Sequence, residues 1–306
     1  MNIVIAVDHG NKQVKTVHHT FTSGLEESFS PPALGGKAIK YAGKFYSLSE
    51  SRIPYMRDKT TDERFFVLTL FAIFQEIEEA EERMSDNEVE VTLLTGLPPA
   101  HYGAQKGAFI KYFTGRGTIN CTYNRRPHNV KITAVRCYPQ GYAAAMVQYD
   151  EILTCPCCRV IDIGGYTVDY LQILKGSPDI SVCGSLELGV IPFYNRVRAE
   201  INSSFDLLVE ESDIDTMMEG KGRFPQKVVN YVLQASKRYV EDIIHQFRER
   251  GIDFGIGTTM FVGGGSSLFQ QHIERIGGAA DIRFVGNVNA NVRGYELLYE
   301  AQCKSK

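Results

Sequence analysis

The sequence predicts an α/β fold of two related lobes, and three short motifs support that prediction. Residues 3–17, IVIAVDHGNKQVKTV, have the pattern of a buried strand, a tight turn and a returning strand. Residues 160–171, VIDIGGYTVDYL, repeat this pattern near the middle of the chain. Residues 260–268, MFVGGGSSL, form a short apolar strand that passes through three glycines into a helix. Two hairpins of one design in a chain of 306 residues indicate two similar half-domains.

The bends of the two hairpins contain residues that suit phosphate and metal binding. Asp8 and Gly10 lie at the first bend, and Asp162, Gly164 and Gly165 lie at the second. Glycine lets the backbone approach a ligand closely, and successive N–H groups at such a bend can face an anion. A carboxylate at a strand end suits the water shell of Mg²⁺. Taken singly, each hairpin fits an ordinary tight turn without a ligand equally well.

The third motif suits a nucleoside. Gly263, Gly264, Gly265 and Ser266 connect a strand to the start of a helix. Because glycines have no side chain, the backbone at this connection can pack closely against an adenosine.

In this order, the three motifs resemble the phosphate-one, phosphate-two and adenosine motifs of the actin-like ATPases. The short chain and its compact insertions are most similar to bacterial plasmid-segregation actins of the ParM type. The resemblance implies the duplicated, ribonuclease H-like actin fold, an α/β fold with two lobes around a nucleotide cleft. It also implies bound ATP, with GTP as the alternative, together with Mg²⁺.

The resemblance also implies a division of the chain into lobes. Residues 1–157 are expected to form the first lobe, with a small inserted subdomain at about 30–60. Residues 158–289 are expected to form the second lobe, with an inserted subdomain at about 190–256. A C-terminal helix at about 290–306 is expected to return to the first lobe.

A catalytic role is implied for three residues. Gln140 matches the position at which related proteins carry a glutamine or glutamate that orients the attacking water, and an amide can both donate to and accept from water. The alternative is an ordinary residue at the start of a helix. Asp8 and Asp162 are the other two implied catalytic residues, and they are expected to hold Mg²⁺ through its water shell.

The remaining site residues are expected to bind the nucleotide. The family more often has Ser or Thr in the first turn, so Asn11 is expected to supply the polar contact there, while Lys12 or Lys15 reaches the phosphates. Lys237 and Glu241 are expected at the nucleoside, although their spacing also fits a surface ion pair. The implied nucleotide-binding residues are Gly10, Asn11, Lys12, Gly164, Gly165, Tyr166, Thr167, Gly189, Lys237, Glu241, Gly263, Gly264, Gly265 and Ser266.

Between the motifs, strand and helix patterns alternate. Residues 20–32 form a polar break, and residues 37–48 predict a hairpin. Residues 62–84 follow the helical period, and the acidic run at 76–83 is expected on the solvated face of that helix. Further strands are predicted at 89–97, 118–123, 129–137, 258–262 and 282–285, and helices at 138–146, 192–201, 225–250, 266–276 and 291–301.

Composition restricts the partners. A net charge of −3 gives no general attraction to nucleic acid, so contact with DNA is expected through a partner protein rather than directly. The N-terminus has no cationic leader, and the apolar run at 65–74 is too short to cross a bilayer. The expected location is therefore cytoplasmic, without membrane attachment.

The seven cysteines raise the question of a metal site. Their odd number argues against a disulfide framework. Cys155, Cys157 and Cys158 form a cluster, with Cys137 or Cys121 as a possible fourth zinc ligand. Zinc sites more often pair two separated CxxC knuckles, so reduced structural thiols are the favoured interpretation.

The function implied by the resemblance is a nucleotide-dependent polymerising ATPase that forms filaments to segregate plasmid DNA. Its partners would be further copies of itself and a DNA-bound centromere adaptor of the ParR kind. One alternative is a bacterial cytoskeletal or scaffold ATPase unrelated to plasmids. Another is a small-molecule kinase of the same superfamily, in which Asp169 would serve as the base.

Overall fold

The computed structural model describes residues 2–32, 37–79, 88–276 and 280–304. The chain divides into two compact units, the first formed by Met1–Val147 with Asn289–Lys306 and the second by Gln148–Val288.

The first unit ends earlier than residue 157, the expected end of the first lobe, because the segment after Val147 packs on the second unit. The Sγ atom of Cys155 lies 3.3 Å from Thr258 Oγ1, and Glu151 pairs with Arg283 at 2.9 Å. These contacts tie residues 148–157 to the strands that follow them.

The first unit contains a mixed sheet and four α-helices among its described residues, the last of which is the C-terminal helix. Its elements are β1 (Asn2–His9), β2 (Gln13–Lys15), β3 (Thr20–Thr22), β4 (Leu25–Ser28), β5 (Ala38–Tyr41), β6 (Lys44–Leu48), α1 (Glu63–Glu79), β7 (Glu88–Leu97), α2 (Pro99–Thr114), β8 (Thr118–Tyr123), β9 (Arg126–Pro139) and α3 (Tyr142–Ala145). The strand order is β3-β2-β1-β7-β9-β8-β5-β6-β4. β1, β7 and β9 are parallel at its centre, and antiparallel strands extend the sheet on both sides.

The second unit has a five-stranded sheet in its described part, with the order β12-β11-β10-β13-β14. Its elements are α4 (Tyr149–Leu153), β10 (Cys157–Ile163), β11 (Val168–Leu174), β12 (Ser177–Leu186), α5 (Val190–Phe205), α6 (Glu211–Met218), α7 (Gln226–Glu249), β13 (Thr258–Val262), α8 (Gly264–Ile273) and β14 (Asp281–Phe284). The chain then returns to the first unit as α9 (Ala290–Lys304). In the described part of the chain, no helix combines the length and apolarity needed to cross a bilayer.

The sheets confirm the predicted hairpins. Asp8 lies opposite Lys15 in β1–β2, and Asp162 lies opposite Asp169 in β10–β11. The predicted hairpin at 37–48 is also present, and β5 joins the main sheet through β8.

Helix α1 differs from the amphipathic helix that the sequence predicts. Its residues 65–75 are buried on every side, so the helix is enclosed in the core of the first unit. Its acidic tail is not merely solvated, because Glu76 accepts hydrogen bonds from the Thr16 hydroxyl and from the His18 backbone N–H. The rest of the predicted helix, 80–84, lies outside the described residues.

Two local predictions were wrong, and the helices α2 and α6 were not predicted. The polar break at 20–32 contains β3 and β4, because a short edge strand needs little apolar surface. Helix α2 was not predicted, and the acidic stretch at 210–215 forms most of α6, which Glu210 and Asp213 close with a capping box. The predicted helix at 138–146 begins only at Tyr142, because β9 continues to Pro139 and Gly141 has a φ of 72°.

Candidate functional site

The first turn, residues 8–11, presents a carboxylate that is held by a glutamine distant in sequence. Asp8 is 5% exposed, and its Oδ1 accepts a hydrogen bond of 2.6 Å from Gln140 Nε2. The backbone N–H of Gln140 donates to the carbonyl of Leu97 at 2.9 Å. The N–H of Gly141 donates to Asn291 Oδ1 at 2.9 Å. The structure therefore brings together two of the three predicted catalytic residues and fixes the backbone around them.

Two side chains hold the carbonyl groups of the first turn. Ser23 Oγ donates to the Gly10 carbonyl at 2.6 Å, and Lys59 Nζ donates to the His9 carbonyl. In the described part of the chain, the backbone N–H groups of Gly10 and Asn11 have no acceptor. A Cβ at Gly10 would lie only 2.5 Å from the Gln13 carbonyl oxygen, so the turn needs glycine. Its N–H groups suit an anion.

Lys15 rather than Lys12 shares the face of Asp8. Asp8 and Lys15 are directly opposite in the β1–β2 ladder, and residues opposite each other in an antiparallel pair project on the same side. Of the two lysines considered from the sequence, Lys15 is therefore the one that the register places beside the carboxylate.

His9 faces the core instead of the turn. Its Nε2 lies 2.7 Å from Thr69 Oγ1, and its Nδ1 lies 3.2 Å from Thr95 Oγ1. Because the Thr69 hydroxyl donates to the Phe65 carbonyl, it accepts from His9, so Nε2 carries the proton. Burial, with a smaller contribution from the charge of Lys59, lowers the pKa of His9 to about 3. The imidazole is therefore neutral at physiological pH.

The second turn, residues 164–167, lies between two buried carboxylates. Asp162 and Asp169 are 8% and 7% exposed and lie opposite each other on one face of the hairpin. Thr167 Oγ1 donates to Asp169 Oδ2 at 2.8 Å, and the Gly164 N–H closes the turn on the Thr167 carbonyl at 2.9 Å. The N–H of Gly165 has no acceptor among the described residues. This turn also offers a backbone donor to an anion.

The start of α5 supports the second turn through the backbone. The N–H of Gly189 donates to the Tyr166 carbonyl at 2.9 Å, that of Val190 to Gly164 at 3.1 Å and that of Ile191 to Gly165 at 2.8 Å. A Cβ at Gly189 would lie 2.5 Å from the carbonyl carbon of Tyr166. Gly189 therefore serves the site by allowing this close packing, a role that the motif resemblance did not specify.

The glycine-rich turn lies beside Asp162. Gly263 has a φ of 86°, and a Cβ there would lie 2.3 Å from Asp162 Oδ1. A Cβ at Gly265 would lie 2.3 Å from the side chain of Ile163. Ser266 Oγ donates back to the Gly263 carbonyl at 2.7 Å, at the beginning of α8. Two motifs far apart in sequence are thus adjacent in the second unit.

Lys237 and Glu241 lie on the exposed side of α7. Their charged atoms are 3.8 Å apart, and their side chains are 67% and 54% exposed. They line a cleft of about 1060 Å³ together with residues that include Tyr231 and Arg275, while the glycine-rich turn is not part of its lining. Their assignment to the nucleoside stays a prediction.

The donor set fits Mg²⁺ bound through water. Mg²⁺ keeps several waters and usually takes one or two carboxylates plus phosphate oxygens. Within its own unit, each of Asp8 and Asp162 is a buried carboxylate beside a turn with backbone N–H donors, a combination that suits metal-bound water and phosphate oxygens. In the described ranges, His, Cys, Asp and Glu side chains form no group of three or more that could ligate a metal directly.

The cysteine cluster belongs to the packing of the second unit. All seven cysteines are free thiols. The Cys155 thiol donates to the Glu151 carbonyl at 3.3 Å, and burial raises the pKa of Cys158 to about 12. A thiol with a raised pKa is a poor nucleophile.

Sequence reasoning missed three residues that hold backbone groups at Gly10, His9 and Gly141. Ser23 lies in the segment taken as a polar break, Lys59 lies in a short 3₁₀ helix, and Asn291 lies in the first turn of α9. No local motif marks any of them, because each acts on a turn that is distant in sequence.

Two family models match the sequence. The model for the N-terminal domain of actin-like proteins matches residues 6–142, and the model for the C-terminal part of an archaeal MreB-like actin homologue matches residues 160–275. The chain belongs to the actin-like superfamily. No curated protein matches it closely enough to add to this finding.

Solved structures confirm the actin-like fold. Apo ParM of psk41 is 16% identical, with a TM-score of 0.72 over 99% of this chain and 98% of that one. The archaeal actin homologue Ta0583 in complex with ADP is 18% identical, with a TM-score of 0.72 over 98% and 99% of the two chains. The AlfA filament bound to AMPPNP is 13% identical, with a TM-score of 0.65 over 100% and 99%. The predicted superfamily and fold are thus confirmed, and the similarities are consistent with plasmid-segregation actins of the ParM type.

Proposed function

We propose that this actin-like protein is a polymerising ATPase that uses Mg²⁺ and ATP, with GTP as the alternative nucleotide. The observation that carries the proposal is the 2.6 Å hydrogen bond between Gln140 and Asp8. It joins a neutral amide suited to orienting water with a carboxylate suited to the metal water shell. Both lie beside a turn whose N–H groups at Gly10 and Asn11 suit phosphate.

In the proposed mechanism, the chain contributes positioning and hydrogen bonds. The amide of Gln140 would orient the attacking water, and Asp8 and Asp162 would hold Mg²⁺ through its water shell. The turn N–H groups of Gly10 and Gly165 bind phosphate oxygens. Bound Mg²⁺ supplies neutralisation of the phosphate charge.

Polymerisation is supported by the fold and by one solved structure that is similar to this chain. The AlfA structure is a filament bound to AMPPNP, and apo ParM shares the fold over nearly the whole chain. We infer that this protein assembles with further copies of itself when it binds the triphosphate. Hydrolysis then weakens the subunit contacts, and a tenfold loss of affinity requires only about 1.4 kcal/mol.

The proposed role is plasmid segregation, in which the growing filament moves DNA through a centromere-binding adaptor of the ParR kind. The net charge of −3 favours such an adaptor over direct DNA binding. The proposed location is the cytoplasm.

Sedimentation tests the nucleotide dependence. The purified protein is centrifuged with Mg-ATP, with Mg-ADP and without nucleotide, and phosphate release is followed in parallel. We expect pelleting with Mg-ATP that decays as phosphate is released. Equal pelleting under the three conditions would refute nucleotide control, and turnover without any polymer would favour a small-molecule kinase.

A further inference from the structure

Tyr239 connects the long helix α7 to the second turn. Its side chain is 1% exposed, and its hydroxyl donates a 3.0 Å hydrogen bond to the Gly189 carbonyl. Burial raises the pKa of the Tyr239 phenol, so the group stays protonated and remains a donor. A residue 50 positions along the chain therefore holds the peptide on which the second turn packs.

The peptide bond after Gly189 transmits this contact to the turn. A trans peptide is planar, so its C=O and N–H groups point in opposite directions and move together. The Tyr239 hydroxyl fixes the C=O of Gly189, while the N–H of the same peptide, that of Val190, donates to the Gly164 carbonyl at 3.1 Å. The phenol thereby sets the direction of a hydrogen bond that holds the turn.

The ring of Tyr239 is itself held on several sides. It packs against Phe193 and Phe269 with centroid distances of 5.2 and 5.8 Å. The guanidinium of Arg196 lies 5.4 Å from the ring centroid and also pairs with Asp242 at 3.7 Å. A ring packed in this way keeps its hydroxyl at one position, which is what a positioning contact requires.

We propose that Tyr239 is a positioning residue for nucleotide phosphate: through the Gly189 carbonyl it holds the second turn so that the Gly165 N–H faces the phosphate. This inference rests on the proposed nucleotide binding and adds a residue outside the three motifs. Because Tyr239 lies on α7, a movement of α7 would also move the second turn.

The test replaces Tyr239 with phenylalanine, which removes one hydroxyl and keeps the ring. The matched control is Tyr194→Phe, because Tyr194 is also buried in this unit and its hydroxyl donates to Asp215 Oδ1 at 2.5 Å, away from the turn. The dissociation constant of Mg-AMPPNP is measured by calorimetry, and the thermal midpoint is measured without nucleotide. Hydrogen exchange of the segment 186–193 is followed in the same nucleotide-free samples.

We expect both variants to lose thermal stability to a similar extent, since each loses one buried hydrogen bond. Only Tyr239→Phe should raise the dissociation constant, by about tenfold, and accelerate exchange in the segment 186–193. Wild-type affinity in Tyr239→Phe, or an equal loss in Tyr194→Phe, would overturn the positioning role. A wild-type protein that binds neither ATP, GTP nor AMPPNP would instead refute the proposed function, and the positioning role with it.

Discussion

The two turns share a sequence design but are held in different ways. The first turn is held by side chains from separate segments, namely Ser23, Lys59 and Gln140. The second turn is held by three consecutive backbone N–H groups at the start of α5. Side-chain support responds to charge and side-chain length, whereas backbone support depends on how closely two chain segments approach. Two turns of one sequence design thus rest on supports with different sensitivities.

The largest expected effect comes from breaking the backbone support. In Gly189→Ala, the new Cβ would lie 2.5 Å from the Tyr166 carbonyl carbon, so the second turn or α5 must move. We expect a loss of about 3 kcal/mol in unfolding free energy, as for overpacked sites, and no measurable binding of Mg-AMPPNP. Urea unfolding and calorimetry check this result.

The control is Gly103→Ala, in α2, where a Cβ would meet nothing within 4 Å. Because alanine is the better helix former, that variant should be unchanged or more stable, by up to about 1 kcal/mol. Normal stability and binding in Gly189→Ala would show that the second turn tolerates movement.

The next effect separates catalysis from binding at the first turn. Gln140→Ala removes the amide that contacts Asp8, so we expect phosphate release to fall by about a hundredfold while nucleotide still binds. Polymers formed with Mg-ATP should then persist longer. Gln270→Ala, at an exposed position in α8, is the control and should hydrolyse normally. A wild-type rate of phosphate release in Gln140→Ala would show that Gln140 does not orient the attacking water.

A smaller effect is expected from the lysine of the first turn. Lys59→Met removes the donor to the His9 carbonyl, so the peptide that carries the Gly10 N–H loses its constraint. We expect Mg-AMPPNP to bind about tenfold more weakly, measured by calorimetry. Lys59→Gln retains a neutral donor and should recover part of the affinity. Lys131→Met, whose side chain is 55% exposed, should bind as the wild type does.

The smallest effect is a pH dependence that belongs to the first turn. The pKa of His9 is about 3 in the folded chain, against an ordinary value of 6.5. Between these two pH values, the unfolded chain therefore binds a proton at His9 and the folded chain does not. The contribution of His9 to the unfolding free energy is fully present above pH 6.5 and is lost as the pH falls from 6.5 towards 3. Between pH 7.5 and 5.5 we expect a loss of about 1 kcal/mol in unfolding free energy.

Urea unfolding of His9→Gln at the two pH values isolates this contribution. The variant should lack the part of the slope of unfolding free energy against pH that comes from His9. His18→Gln is the control, since hydrogen bonding to Glu76 raises the pKa of His18 and gives a dependence of opposite sign. An unchanged slope in His9→Gln would show that His9 is not the group responsible. Substitutions around the second turn should not alter the slope, which sharpens the contrast between the turns.

Much of the fold and part of the site could be predicted from local patterns. The alternation of apolar residues around Asp8 and around Asp162 identified both hairpins, and the register agrees with them. Glycine positions were equally informative, because Gly10 and Gly263 have conformations or close contacts that exclude a side chain. Local patterns failed for α1, where the sequence period indicated one buried face and the core encloses the whole helix.

The sequence by itself determined the strands, the bends and the residue types at each bend, because these depend on neighbours a few positions away. Only the tertiary structure decided which distant side chains hold them: Gln140 against Asp8, Lys59 against the His9 carbonyl and Tyr239 against the Gly189 carbonyl. The physical reason is that hydrogen bonds act over about 3 Å, and which groups come that close depends on strand order and helix packing.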